Sequence, residues 1–449
     1  MVKRIVIILS IILIPLIICG VLAVFVFSTK QKEESQKKDK WEKLKSLPYV
    51  TWHSMDPKDQ SKLGVSIYNE KLAYKGLNLY NPRNKDIANL IDMEGNVLHT
   101  WAGDGEGKWM MVEMDNKGNL FAVEKDVKLL KLNWNSNILW KHEVRYHHYL
   151  DIAQNGDIYS IAWNPLEVPY QDETLTIDNE YIMILNPDGK VKKMISFFPL
   201  MKEKFGQDKG NEERIREHIK EYPERPFDAF HINSIEIIDR NIKGFAQKGN
   251  ILISVRRFNI IAILDIDKEE IVWSWGENIL KAQHHPVLLD NGNIMIFDNF
   301  GNDGYSRIVE MNPITREIEW IYIPENPQDF RTDVGGANQK LPNGNLLITI
   351  YNLGCVIETC EIDFSAPVLK RDPISLFKTK FNLNDEQAET SSISKEDIIV
   401  WEFWNPEIRK DTNARAAIFL MKRFGPKFIK KLPFDKQEVK YLKNKGYFI

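Results

Sequence analysis

The feature that most constrains this chain is a pair of turns that keeps returning. Turn dipeptides recur at Lys117-Gly118, Asn155-Gly156, Lys248-Gly249, Asn291-Gly292 and Asn343-Gly344, each followed by an alternating or apolar strand such as Asn293 to Phe297. Such dipeptides close β-hairpins, because glycine and asparagine reach the backbone angles that tight turns need. A second turn, with Asp or Glu beside Gly or Lys, follows at Glu94-Gly95, Asp188-Gly189 and Asp267-Lys268. After it comes a strand ending in tryptophan: Val97 to Trp101, Ile138 to Trp140, Ile271 to Trp275, Ile318 to Trp320, Ile399 to Trp404. Two hairpins make a four-stranded sheet, and a sheet repeated every 40 to 60 residues or so buries its faces against copies of itself. The expected fold is all-β, a six-bladed β-propeller, with blades near 63 to 103, 108 to 143, 146 to 198, 230 to 276, 283 to 323 and 333 to 404. Long amphipathic helices between the strands are missing, which excludes a doubly wound α/β fold.

The flanks divide the chain further. Ile5 to Phe27 is an uncharged apolar run of 23 residues after Lys3 and Arg4, long enough to cross a bilayer as one helix. It is too long for a cleaved signal and has no small-x-small site, so it reads as an uncleaved anchor. Ile18 is too bulky before Cys19 for a lipoprotein cleavage site. The expected order is a cytoplasmic tail 1–4, a transmembrane anchor 5–27, a stalk 28–62, the propeller 63–404 and a C-terminal extension 405–449. Lysines 30, 32, 37, 38 and 40 favour a cytoplasmic stalk, whereas a four-residue tail is simple to retain inside. The extension shows a basic helical pattern from Asn413 to Arg423 and is expected to cap the propeller. Two insertions, Met201 to Asp228 and Phe364 to Asp397, belong on loops, the first helical around Glu212 to Glu221.

Charge narrows the partners. With 60 basic against 63 acidic residues the net charge is -3, too weak a field to hold nucleic acid without sequence preference. Of three cysteines, Cys19 lies in the apolar run, and Cys355 and Cys360 face opposite sides of one regular strand. No CxxC pair occurs, which argues against a zinc site or a disulfide framework.

The chemistry lies in a phase relation. His148 and His284 each stand seven residues before a hairpin asparagine, Asn155 or Asn291, and four before Ile152 or Leu288. His231 stands four before Ile235 in the blade with the longer hairpin. A lone histidine at a strand start is ordinarily structural; three in one phase predict imidazoles from three blades aimed at one polar pocket on the axis. Their neighbours His147 and His285 alternate to the other face, and His53, His99, His142 and His218 share no such phase.

Several segments together resemble the PAPS-independent arylsulfotransferases. The opening is Gly76 to Tyr80 with Leu90 to Val97; more specific are Phe230-His231-Ile232-Asn233-Ser234, Ser254-Val255-Arg256 and Gln283-His284-His285-Pro286. Asn291-Gly292-Asn293, Phe297-Asp298-Asn299, Ser306-Arg307 and Gly335-Gly336-Ala337-Asn338 continue the series. The resemblance implies a six-bladed propeller, outside the cytoplasm, that moves a sulfuryl group from a phenolic sulfate ester to a phenol without nucleotide, metal or other cofactor. A neutral imidazole can attack sulfur to give a sulfo-histidine, and arginines can hold the sulfuryl oxygens.

Carried over by the resemblance, His231 and His284 correspond to channel histidines, and Arg256 and Arg307 to sulfuryl-binding arginines, with Arg257 as a rival to Arg256. Phase adds His148, and Asn299 and Asn338 are expected to orient the substrate. One departure stands out: no histidine follows His285, and the phased position in the last blade is Gly336. The nucleophile is then His148, His231 or His284, or the activity is lost. The alternative is a membrane-anchored, non-catalytic propeller that binds an anionic or aromatic ligand. A quinoprotein-type dehydrogenase is disfavoured, since its calcium-binding and vicinal-cysteine features are not evident.

Overall fold

A computed structural model describes residues 61–359, 399–406 and 418–448, except 84, 106, 208, 302, 303, 325 and 326. The expected anchor at 5–27, the stalk except its last residues, Cys360 and the insertion 364–397 lie outside these residues. Among the described residues no helix is long and apolar enough to cross a membrane.

Six antiparallel sheets form, one per expected blade. In every blade but the third the second strand is buried along its whole length, as in Leu120–Glu124, Ile251–Val255, Ile294–Asp298 and Leu346–Ile350. Neighbouring blades cover both of their faces, so their sequences are apolar runs rather than alternating ones. Outer strands such as Val97–Ala102 have one face in solvent. The innermost strands, Ile418–Phe424, Trp109–Met114, Tyr146–Ile152, Ile232–Ile237, His284–Leu288 and Ala337–Lys340, touch one another in a closed cycle.

The recurring tryptophans join adjacent blades. Trp140 Nε1 donates to Pro187 O of the next blade at 2.9 Å, Trp275 Nε1 to Arg316 O at 3.1 Å and Trp401 Nε1 to Met93 O at 2.8 Å. Each bond reaches the outer turn of the following sheet. At Gly189 a Cβ would lie 2.6 Å from the Trp140 ring and φ is +80°, so that turn requires glycine twice over.

Two expectations about the first and last blades are corrected. The segment Asn413 to Arg423, read as helical, overlaps the strand Ile418–Phe424, which pairs with Leu77–Pro82 and supplies the inner strand of the first blade. Helices follow it only at Pro426–Ile429 and Lys436–Asn444. The strand Gly64–Tyr68, placed in the first blade, instead pairs with Ile399–Trp404 as a fifth strand on the last. The ring therefore closes by joining the two ends of the domain.

Blade three carries a cap. Its two middle strands, Ile158–Tyr170 and Glu173–Leu185, run 13 residues each and outgrow the rest of their sheet. Helices Phe198–Gln207 and Lys209–Glu221 follow, then a short strand Phe227–Asp228 parallel to Ile177–Asp178. Met201, Phe205, Ile215, Phe227 and Phe230 bury together with Val168 and Ile177 in one apolar cluster. The insertion read as a loop is thus a packed element.

Candidate functional site

The inner strands of blades three, four and five are irregular where the histidines sit. The ladder skips residues between His147 and Leu150, at Asn233, and between His284 and Val287. His148, His231 and His285 adopt φ of 58°, 54° and 46°, an uncommon region for residues with a Cβ. These bulges turn the side chains out of strict alternation.

His148 Nε2 lies 2.9 Å from His231 Nε2. His231 Nδ1 lies 2.7 Å from Asp228 Oδ2, and the same oxygen accepts Arg257 Nε at 3.1 Å and one terminal nitrogen at 2.7 Å. His284 occupies the adjoining blade. Its Nδ1 lies 2.6 Å from Asn299 Oδ1, whose amide orientation is set by Nδ2 donating to Thr332 O at 2.8 Å and Gly335 O at 2.7 Å. The Gly335 N–H donates to His284 Nε2 at 3.2 Å.

Burial governs the charge of this cluster. It holds the His148 and His284 imidazoles well below the ordinary range, with His231 acting further on His148 and Arg256 on His284. His147 is depressed to about 3 by burial and by His231. Burial also lowers His231, although Asp228 opposes the shift. Burial pushes Asp228 upward, but His231 and Arg257 outweigh it and hold the carboxyl well below its usual value. At neutral pH the site therefore contains neutral imidazoles, one ionised carboxylate and two guanidinium groups. His231 and Asp228 side chains are 28% and 32% exposed, whereas His148 and His284 are buried. Of the cluster, His231 and Asp228 are the side chains that meet solvent.

The two arginines sit in a three-residue 3₁₀ turn, Arg256–Phe258, rather than on a regular strand. Arg257 is taken by Asp228. Arg256 makes no side-chain hydrogen bond or ion pair among the described residues; burial and Arg257 lower its pKa to about 10. Arg307 is differently placed, on the third strand of blade five. Its Nε donates to Asp298 Oδ2 at 2.8 Å and a terminal nitrogen to Ile279 O at 2.9 Å, so its charge is answered within its own blade. Asn338 bridges blades five and six, its backbone N–H donating to His285 Nδ1 at 3.3 Å and its side chain to His285 O at 3.0 Å.

The structure thus joins His148 with His231 and places His284 and Arg256 within electrostatic reach of them. It corrects the phase argument in two respects. Ile152, Ile237 and Leu288 are the equivalent residues facing Ile158, Ile251 and Ile294, so His231 enters six residues before its anchor, not four. His147, assigned to the other face, has its ring 4.9 Å from that of His148 and 6.4 Å from that of His231. Three contributors went unread: Asp228, Arg257's role and His147. Asp228 carried a signal, an acid three residues before a phased histidine. Among the described residues no group of three or more His, Cys, Asp or Glu side chains is arranged to hold a metal ion.

The six-bladed propeller thus brings neutral imidazoles together with Arg256, which has no side-chain partner among the described residues. Residues 88–363, more than half of the chain, match the family model described as Arylsulfotransferase (ASST), and the chain belongs to that family. Membership supports transferase activity of the arylsulfotransferase type, with aryl sulfates and phenols as the general substrate classes. No curated protein matches the chain. Similar solved structures include a protein of unknown function from Bacteroides caccae, 12% identical, TM-score 0.43, covering 64% of this chain and 90% of that one. A streptogramin B lyase is 12% identical, TM-score 0.41, covering 71% of this chain and 86% of that one.

Proposed function

We propose that this protein transfers a sulfuryl group from a phenolic sulfate ester to a phenol through a sulfo-histidine on His284. The observation that carries the reading is the fixed state of that ring. Asn299 Oδ1 accepts a hydrogen bond from the Nδ1–H, which leaves the lone pair on Nε2, and Arg256 is the foremost charge acting on it. Nε2 attacks sulfur, the sulfur–aryl-oxygen bond breaks, and the first phenol leaves as phenolate while Arg256 holds the sulfuryl oxygens. The acceptor phenol then attacks sulfur, its proton passes to the His148–His231 pair, and the bond to Nε2 breaks. That proton returns through solvent to the departed phenolate, so the imidazoles end as they began.

Two observations favour the second reading, an anion- or aryl-binding propeller without turnover. Gly335 N–H already occupies His284 Nε2, and no histidine can stand at Gly336, where φ is +108° and a Cβ would lie 2.6 Å from the Phe297 ring. The test is nitrophenolate release from p-nitrophenyl sulfate with a phenol acceptor present. Release is expected from the wild type and a loss of at least about 10²-fold from His231→Ala and His284→Ala. Binding without release across a panel of acceptors selects the second reading.

A further inference from the structure

We infer that Asp228, presented by the blade-three cap, is the positioning residue that dictates which ring nitrogens of His231 and His148 carry protons. The assignment of protons stands on geometry; its kinetic consequence rests on the sulfuryl-transfer reading.

Three choices follow one from another. Asp228 Oδ2 accepts Arg257 from two nitrogens, which keeps the carboxylate ionised and therefore an acceptor only. The His231 nitrogen 2.7 Å away must then be a donor, so the proton of the neutral ring sits on Nδ1. That leaves His231 Nε2 with a lone pair. The 2.9 Å contact to His148 Nε2 is consequently a donation from His148, whose proton lies on Nε2 and whose lone pair lies on Nδ1. An imidazole free in water favours the proton on Nε2, so the His231 state is one its surroundings impose.

The source of the carboxylate matters. Asp228 is not on the inner-strand ladder; its main chain pairs with Asp178 of the long hairpin, and Phe227 is buried in the cap. The cap thereby sets the proton arrangement of His148, on the inner strand of blade three, and of His231, just before the inner strand of blade four. When the His148–His231 pair takes the proton of the acceptor phenol, the imidazolium forms beside a carboxylate already in place. A purely structural Asp228, serving only to tie down the cap through Arg257, would leave the ring protons indifferent to its removal.

The experiment is long-range proton–nitrogen NMR on the uniformly ¹⁵N-labelled chain at pH 7.5, with His148→Gln and His231→Gln for assignment. Wild type is expected to show His231 protonated on Nδ1 and His148 on Nε2. Asp228→Ala is expected to move the His231 proton to Nε2. Asp228→Asn, which retains an acceptor oxygen without the charge, is expected to keep the Nδ1 proton and to lower kcat about 10²-fold, the scale of general-base contributions. It also shifts the acidic limb of the rate–pH profile downward, because the carboxylate is what raises His231. Should Asp228→Ala not fold, that limb decides, and an unmoved limb overturns the inference. His231 protonated on Nε2 in wild type overturns it directly. Expected tautomers in a wild type that never releases nitrophenolate would remove the transfer reading and leave the positioning role; release with the opposite tautomer would do the reverse.

Discussion

Asn299 shows how much one side chain decides at this site. Read from sequence as a residue that orients substrate, it is fully buried and spends all its hydrogen-bonding capacity inside the protein, on His284, Thr332 and Gly335. Asn299→Ala would strand the His284 Nδ1–H and the Gly335 carbonyl away from water, while Thr332 O keeps Ser306 Oγ at 3.2 Å. Leaving buried groups unpaired costs roughly 1–3 kcal/mol. A fall of that size in urea-unfolding free energy is expected, together with reduced transfer as the ring loses its fixed proton. Unchanged stability would mean that His284 finds another acceptor. At this scale the sequence was partly legible. Spacing picked out His148 and His284, whose distances to Ile152 and Leu288 survive in the ladder. It misassigned the anchor of His231 and the face of His147, because a count of alternating positions has no means of seeing a residue at positive φ. A bulge is written in tertiary contacts, not in periodicity.

Among elements, the inner strands share a second ordered layer. Lys422, Glu113, Asp151, Glu236, Val287 and Gln339 face equivalent second-strand residues in the six blades, Leu79, Phe121, Tyr159, Leu252, Met295 and Leu347. The acids answer the unpaired edge of the next strand: Asp151 Oδ2 accepts Ile237 N–H and Glu236 Oε2 accepts Leu288 N–H, each at 2.8 Å. Lys422 donates to Glu113 at 2.6 Å. Burial pushes Glu236 up to about 8, with Asp151 adding to the shift and the Leu288 N–H, Lys422 and Arg240 opposing it. The folded state then binds more protons than the unfolded chain between the ordinary carboxyl value, about 4.3, and about 8. Stability from this group is lost as pH rises through that window. Glu236→Gln keeps an acceptor for Leu288, so its urea midpoint is expected to fall less between pH 5 and pH 8.5 than that of the wild type. Parallel midpoints would assign the pH response elsewhere. The hairpin turns that organise these strands were legible because Gly156, Gly189, Gly292 and Gly344 sit at positive φ in tight turns. The strand Ile418–Phe424 was not, since a short apolar run fits a buried helix or a buried strand equally and its partner lies some 340 positions away.

For the molecule as a whole, the ring closes at a seam in which Arg423 is buried. The closing strand inserts this guanidinium between the first and last blades. It donates to Glu358, to Asn78 Oδ1 at 2.7 Å and to Tyr74 O at 3.1 Å, and lies 4.6 Å from the Trp401 ring centre. Arg423 and Glu358 side chains are wholly buried. Residues beyond the strand tighten the seam: Tyr447 Oη accepts Met93 N–H at 3.0 Å and Tyr441 Oη donates to Asp92 at 2.6 Å. The histidines stand on or just before the inner strands of three blades within this closed cycle, so a loosened seam would reach the site through the packing of neighbouring blades. Removing one member of a buried pair leaves a charge with no counterpart and costs about 3–5 kcal/mol, whereas replacing both can be close to neutral. Arg423→Met is therefore expected to unfold at much lower urea and Arg423→Met with Glu358→Gln to recover most of the loss. The recovery separates the charge effect from the packing effect, since the double variant lacks the guanidinium just as the single one does. If the double variant is as unstable as the single, the seam depends on the Asn78, Tyr74 and Trp401 contacts of Arg423 and not on its pairing with Glu358.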